Sequence, residues 1–495
     1  MLSSRHDALS VSGIGNRARG EPKNSASGNN AEWSSGDQAY NITQFLLEVM
    51  KKDSHLFQNS PSLTLPKFKS NEVSLEKNLG QGEFGVVFSI DAIHTKVDEE
   101  EEEETPKHDR RSVSPENETS ATDDETETAD DSLRIDDNPH QNDEPLAVEI
   151  FMDCKGIGLK GALPPGLEQR DLELLLEPNV SKGYMRKHIM RGGMSRYAIK
   201  RLKKDLRGPT LTQATADLAS EANFLMTLRH PNICRMRGTI GEPGKRGFSI
   251  VMDRLTLTLR EKMVEWKKKD DSGSLFSKLK KILGNQSKSK LEEKLMFQRE
   301  IYGEKLLAAY DVARALRYLA DHSIVFRDLK PENLAFDLRG DLRLFDMKSP
   351  GMYKMTGQTG SRRYMAPEVM VYKDYGLAVD VYSFAIMFWE MMSNRDAYFY
   401  MGPEKHFETV VTRRKRPNLK KMISKKVAPQ GSIMCGLIEK SWSHDPSKRP
   451  GIQKICEELF SEIISVSNEE GKAVDRSSHL AAGSLKSRID EPLWC

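Results

Sequence analysis

The sequence predicts an α+β protein in which a short β-rich segment precedes a longer, mainly helical one, with two polar stretches interrupting the order. Three observations carry this. Val73 to Ile93 reads VSLEKNLGQGEFGVVFSIDAI, two runs of β-type residues joined by glycines, which is the pattern of a hairpin. From Ala214 onwards apolar residues recur at helical spacing. Between the two, the chain turns abruptly acidic and loses its periodicity.

Taken in order, residues 1–71 are rich in Ser, Asn and Gly, and only Ile42 to Met50 has the pattern of a short amphipathic helix. A disordered tail is the expectation. The first twenty residues carry Ser and Arg with one acid, as organelle transit peptides do, but the preferred reading is a polar tail. After the hairpin, Asp98 to Pro145 sets twenty acids against four basic residues, a charge of −16, so the remainder of a chain of net charge +2 carries +18. Seven consecutive acids with few aromatics bury too little apolar surface to offset ordering entropy, so an unfolded insert is expected over about 96–193. Folded sequence resumes before RYAIKRL (Arg196 to Leu202), a β-type run.

Ala214 to Leu228 then places Leu218, Ala222, Phe224 and Leu225 at helical spacing, and FSIVMDRL is strand-like. A second polar insert is expected over about 267–298, its Lys-rich FSKLKKIL reading as a solvated helix rather than a membrane-surface one. Glu304 to Asp321 is an amphipathic helix with Leu307, Val312, Leu316 and Leu319 inward. Residues 466–495 form a polar, disordered tail.

Composition excludes several classes. Lys and Arg are scattered without a nucleic-acid recognition pattern, so the basic balance reads as solvated surface and phosphate handling. Five scattered cysteines lack a CxxC pair and a metal-ligand spacing, which points to a reduced intracellular compartment, cytoplasmic or nuclear. The longest apolar stretch, Val381 to Met392, is too short to span a bilayer, so no membrane association is expected.

The chemistry is concentrated in FRDLKPEN (Phe326 to Asn333) and LFDMK (Leu344 to Lys348). They supply a carboxylate at Asp328, a cation at Lys330, a neutral metal ligand at Asn333 and an anionic one at Asp346. A hydroxyl attacking a phosphate needs a carboxylate to orient it and accept its proton, while metal ions offset charge on the triphosphate. Upstream, glycines 80, 82 and 85 in LGQGEFGVV let a backbone come close to phosphates. Lys200, inside the apolar strand Ala198-Ile199-Lys200, is costly to bury without an anion, and Glu221 on the following helix is the natural partner.

Gly-rich hairpin, strand Lys, helix Glu, RDLKPEN, the Asp346 motif and Met365-Ala366-Pro367-Glu368 occur in one order, and in this the chain resembles the eukaryotic protein kinases over roughly Val73 to Ile464. The resemblance implies a two-lobed protein kinase fold, a small β-rich N-lobe with one main helix and a larger helical C-lobe, occupying about 72–465 with long disordered insertions. DLKPEN resembles the serine/threonine type, while DVYSFAIMFWEMM and LIEKSWSHDPSKRP resemble the tyrosine-kinase-like group. It further implies ATP and magnesium as cofactors and Ser/Thr residues of proteins as substrates. Asp328 and Lys330 would be catalytic. Leu79, Gly80, Gly82, Gly85, Val87, Ala198, Lys200, Glu221, Met252 as gatekeeper, Asp253 and Leu255 would hold the nucleotide, and Asn333 and Asp346 the metal. Glu368 and Arg449 resemble the superfamily's buried ion pair; Phe326, Met347, Leu225 and Met236 resemble its apolar spine, anchored on Asp380. Arg327 before the catalytic Asp implies an upstream kinase acting on Thr356 or Thr359. The departure is Met347-Lys348 where Phe and Gly are commoner. Met preserves apolar bulk, whereas Lys cannot adopt glycine's backbone angles without cost, and this leaves a pseudokinase scaffold as the alternative.

Overall fold

The structure, a computed structural model, describes residues 41, 65–82, 84–94, 149–153, 156–160, 178–282, 288–347, 351–352, 360–419, 422 and 431–470. The helix expected over Ile42 to Met50, the whole of the acidic block Asp98 to Pro145, Lys348, Thr356 and Thr359 lie outside these residues. The chain forms two compact units, Met1–Ile93 with Leu176–Cys495, and His94–Leu175.

In the larger unit, strands β1 (Lys67–Phe68), β2 (Val73–Gln81) and β3 (Gly85–Ile93) open the fold. The smaller unit holds an antiparallel hairpin of β4 (Glu149–Asp153) and β5 (Gly156–Lys160). The larger unit resumes with α1 (Pro178–Lys187), β6 (Met190–Arg191), β7 (Met194–Ser195), β8 (Tyr197–Leu202), α2 (Gly208–Thr227), β9 (Met236–Ile240) and β10 (Ser249–Asp253). Six of these strands make one sheet in the order β1-β9-β10-β8-β3-β2. The predicted hairpin is therefore an edge pair, joined to β8 across the whole acidic insert through the register Ser89↔Ala198 and Val87↔Lys200.

Alternation along β8 gives the sheet two different faces. Tyr197 and Ile199 pack with Phe68, Val73, Ile90, Ile93 and Val251 in an outer cluster. Ala198 joins the main core, shared with α2 and the helical region. Met185 of α1, 4 % exposed, completes the outer cluster, and Lys182 of the same helix pairs with Glu72 at 2.7 Å. Helix α1 and the β4–β5 hairpin thus both lie inside the stretch, about residues 96–193, where an unfolded insert was expected. The polar sequence of α1 hides the one methionine that seals the sheet.

The helical lobe follows: β11 (Leu255–Thr258), α3 (Leu259–Ile282), α4 (Lys288–Asp321), β12 (Ile324–Val325), β13 (Leu334–Asp337), β14 (Leu342–Leu344), β15 (Gly351–Met352), α5 (Pro367–Met370), α6 (Ala378–Ser393), α7 (Pro403–Phe407), α8 (Gly431–Ser441) and α9 (Ile452–Glu470). Helix occupies most of the second polar insert expected over 267–298, because α3 runs on to Ile282 and α4 starts at Lys288. Charged residues solvate a helix as readily as a loop, so composition alone did not separate them. Likewise α9 continues four residues beyond Val466. At the centre lies α6, whose residues Val379 to Met392 are all buried. Leu307 is partly buried against the core, while Val312, Leu316 and Leu319 on α4 are buried in it. Among the described residues no helix is long and apolar enough to cross a membrane.

Candidate active site

Ten of the eleven residues expected to hold a nucleotide lie on four adjacent strands and the helix that backs them. Leu79 and Gly80 are on β2, Gly85 and Val87 on β3, Ala198 and Lys200 on β8, Met252 and Asp253 on β10, with Gly82 at the hairpin tip. The pairings Gly80↔Val87, Val87↔Lys200 and Ala198↔Met252 put them side by side. Glu221 comes from α2. Leu255, the eleventh, starts β11 in the next sheet, one residue past Arg254, whose N–H donates to the Arg196 carbonyl at 2.8 Å. The hairpin tip closes by a Gly82 N–H to Gly85 carbonyl bond of 2.8 Å, and a Cβ built on Gly80 or Gly82 meets no protein atom within 4 Å. Asp253 turns its carboxylate to Arg237, with contacts of 2.6 and 2.9 Å, and donates its N–H to the Arg235 carbonyl at 3.0 Å.

Lys200 is the hub. Its Nζ donates to both oxygens of Glu221 at 2.6 Å and to Asp346 Oδ1 at 2.9 Å. Glu221 is 1 % exposed. Burial alone would lower the Lys200 pKa, but the charges of Glu221 and Asp346 outweigh it and hold the pKa well above the usual lysine value. The ammonium stays charged.

Asp328 is framed from three sides. Lys330 Nζ meets its Oδ2 at 2.7 Å, Asn333 Nδ2 donates to its Oδ2 at 3.1 Å and to its backbone carbonyl at 2.8 Å, and the Ser361 N–H donates to its Oδ1 at 2.7 Å. Lys330 also donates to Ser361 Oγ at 2.9 Å, linking the loop to the segment beyond Asp346. Gly360 makes the approach feasible: its φ is +103°, and a Cβ there would sit 2.5 Å from the Arg327 carbonyl oxygen. Neither Ser361 nor Gly360 was among the site residues expected from the sequence, where the glycine in TGSRR was the only signal for Gly360.

Below the loop, Asp380 of α6 accepts the N–H groups of Phe326 at 2.7 Å and Arg327 at 2.9 Å. Burial pushes its pKa up to about 6 against the lowering effect of those bonds. Leu225, Met236, Phe326 and Met347 are each at most 3 % exposed and belong to one core. Met347 thus replaces an aromatic ring without leaving the interior. Arg327 lies 6.0 Å from the Tyr375 ring.

Asn333 and Asp346 are tied through the backbone, since the Phe345 N–H donates to the Asn333 carbonyl at 3.0 Å. Asp346 holds a left-handed φ of +61°, a conformation Asp tolerates better than most residues. Asn333 Nδ2 is committed to Asp328, so its Oδ1, together with the Asp346 carboxylate whose Oδ1 also accepts from Lys200, makes up an oxygen donor set of the type magnesium takes. Among the described residues no three His, Cys, Asp or Glu side chains gather into a metal cage. Two protein oxygens fit a magnesium ion that takes its other ligands from phosphate and water.

Arg449 donates to Glu368 at 2.6 and 2.8 Å and to the Ala378 carbonyl at 2.8 Å, forming the predicted buried pair. Comparison with known families then decides the lineage: the model described as "Protein kinase domain" matches residues 181–461, more than half of the chain. The chain belongs to the protein kinase family. The matched range starts beyond the acidic block, so the glycine hairpin lies outside it and is joined to the matched region by sheet pairing with β8 and by the packing of Val73, Ile90 and Ile93 against Tyr197, Ile199 and Val251. Among relatives, serine/threonine-protein kinase STY46 of Arabidopsis thaliana is 33 % identical over 181 residues, 36 % of this chain and 30 % of that protein. The RGS domain-containing serine/threonine-protein kinase A of Dictyostelium discoideum is 32 % identical over 210 residues, 42 % of this chain and 17 % of that protein. Serine/threonine-protein kinase VIK of Arabidopsis thaliana is 30 % identical over 278 residues, 53 % of each. The kinase chain therefore spans between about a sixth and about half of these relatives' lengths. Their names agree with the serine/threonine type expected from Asp328 to Asn333.

Proposed function

We propose that the chain is a serine/threonine protein kinase that transfers the γ-phosphate of ATP to a protein hydroxyl. The observation that carries this is the contact of Lys200 with both Glu221 and Asp346, which brings the sheet, its backing helix and the candidate metal ligand that follows β14 together. In this reading Lys200 grips the upstream phosphates, and Leu79, Val87, Ala198 and Met252 wall the base beside the Asp253 to Leu255 backbone. Asn333 and Asp346 would hold magnesium, which when bound offsets charge on the phosphate oxygens. Asp328, fixed by Asn333 and the Ser361 N–H, orients the acceptor hydroxyl and takes its proton. Lys330, already against Asp328, supplies positive charge to the transferring group. An upstream kinase acting on Thr356 or Thr359 and a reduced intracellular setting complete the proposal.

A second reading rests on one sequence feature, Lys348 after Met347, and makes the fold a nucleotide- or partner-binding pseudokinase. Transfer of labelled phosphate from ATP to a generic Ser/Thr substrate separates the two. Activity in the native chain that is lost in Asp328→Asn supports the kinase. Activity that appears only in Lys348→Gly supports the scaffold.

A further inference from the structure

Helix α3 begins with a capping box. The Thr258 N–H and Oγ1 both bond Glu261 Oε2, at 2.8 and 2.7 Å, and the Glu261 N–H returns a bond to Thr258 Oγ1 at 3.2 Å. This fixes the first turn, and with it Arg260, five residues past Leu255. The Arg260 guanidinium contacts three other segments at once: Nε meets Glu332 at 2.9 Å, Nη1 meets Asp396 at 2.9 Å and Nη2 meets the Tyr364 hydroxyl at 2.8 Å. Tyr364 in turn donates to the fully buried Glu390 at 2.7 Å, and Arg363 lies 3.4 Å from Asp396. Glu332 follows Pro331 in the loop that carries Asp328 and Lys330. Tyr364 precedes Ala366-Pro367-Glu368.

Glu332 and Asp396 are the two members open to solvent, with side chains 48 and 40 % exposed, while Glu390 is closed off. Glu332 is four residues along the chain from Asp328, so at most about 14 Å separates them, and an extended peptide advancing about 3.3 Å per residue covers that span within about four residues of an acceptor held at Asp328. Two exposed carboxylates there would select basic flanking residues, since opposite charges across an interface set partner choice. Arg260 occupies both.

We infer that Arg260 is a specificity-determining residue that cancels an otherwise acidic peptide-docking patch formed by Glu332 and Asp396, so that the enzyme accepts its substrates without requiring basic residues around the acceptor. The inference rests on the kinase reading and names the substrate class of that site. Without Arg260, Glu332 would lose its ion pair and Asp396 would keep Arg363 at 3.4 Å, so the exposed patch would attract Arg and Lys. Without the two exposed carboxylates the positive charge of Arg260 would favour acidic peptides.

The test compares Ser peptides flanked by Arg, Ala or Glu, using both phosphate transfer and binding by fluorescence anisotropy at low salt. Native protein should treat the Arg and Ala peptides alike. Arg260→Gln should raise the ratio for Arg over Ala by about threefold or more, the scale of an exposed charge pair, and added salt should erase the gain. Glu332→Gln with Asp396→Asn should shift preference towards the Glu peptide, an opposite sign that loss of structure cannot produce, and it decides the matter should Arg260→Gln not fold. Unchanged ratios in both variants, or a native protein that already prefers the Arg peptide strongly, would overturn the inference. Absence of transfer in every form counts against the kinase reading instead, and the anisotropy ranking still decides the role of Arg260.

Discussion

Lys200 and Glu221 meet through both carboxylate oxygens at 2.6 Å, with Asp346 2.9 Å away on the other side of the same ammonium. One cation therefore organises two anions contributed by distant segments. Lys200→Met should lower kcat/KM for ATP-dependent transfer by about 100-fold or more, the scale of losing one preorganised charge donor. Glu221→Gln, which keeps the shape and a hydrogen bond, should lose less. Steady-state kinetics at several ATP concentrations read both.

Arg449 and Glu368 form a buried pair whose arginine side chain is fully enclosed. Truncating one partner strands the other charge, so Arg449→Met should cost about 3–5 kcal/mol of unfolding free energy. The double variant Arg449→Met with Glu368→Leu should recover part of that loss. Denaturant unfolding of the two variants beside the native chain gives the comparison.

Gly360 is positioned for close backbone approach, and Gly360→Ala forces a Cβ against the Arg327 carbonyl at φ +103°. The expected cost is about 1–3 kcal/mol. Because Ser361 donates to Asp328 from the next residue, kcat should fall while nucleotide affinity holds, which transfer kinetics and a fluorescent nucleotide titration would separate.

These residues also mark what was legible beforehand. Lys200, Glu221, Asp328, Asn333 and Asp346 could be named because each chemical role demands a particular residue type at an ordered place in the chain. The hairpin and α2 followed from period and glycine placement. Helix α1 was not legible, since its contribution is one buried Met185 in a polar run. Nor was the Arg260, Tyr364 and Glu390 cluster, because its members are far apart in sequence and meet only through packing of α3 and α6. Within the second polar stretch FSKLKKIL was legible as a helix, while the rest of α3 and the start of α4 were not, because a charged composition suits a helix and a loop alike.

Asp380 gives a pH signature. Its folded pKa, pushed up to about 6 by burial, lies above the ordinary Asp value of 3.8, so the folded state binds the proton more tightly than the unfolded one. The stabilisation is complete below the unfolded pKa and is lost as pH rises through about 6. The unfolding free energy of the native chain, relative to Asp380→Asn, should therefore increase by up to about 3 kcal/mol as pH falls from 7 to 4. A flat difference across that window contradicts the assignment, and chemical unfolding at stepped pH measures it.

The central claim is that Asp328, Lys200, Asn333 and Asp346 form a working phosphotransferase despite Met347 and Lys348. Labelled-phosphate transfer from magnesium ATP to a generic Ser/Thr substrate tests it most directly, with native chain, Asp328→Asn and Lys348→Gly side by side. Transfer by the native chain, reduced by about 100-fold or more in Asp328→Asn, is the predicted result. A native chain no faster than Asp328→Asn, with transfer appearing only in Lys348→Gly, would contradict it.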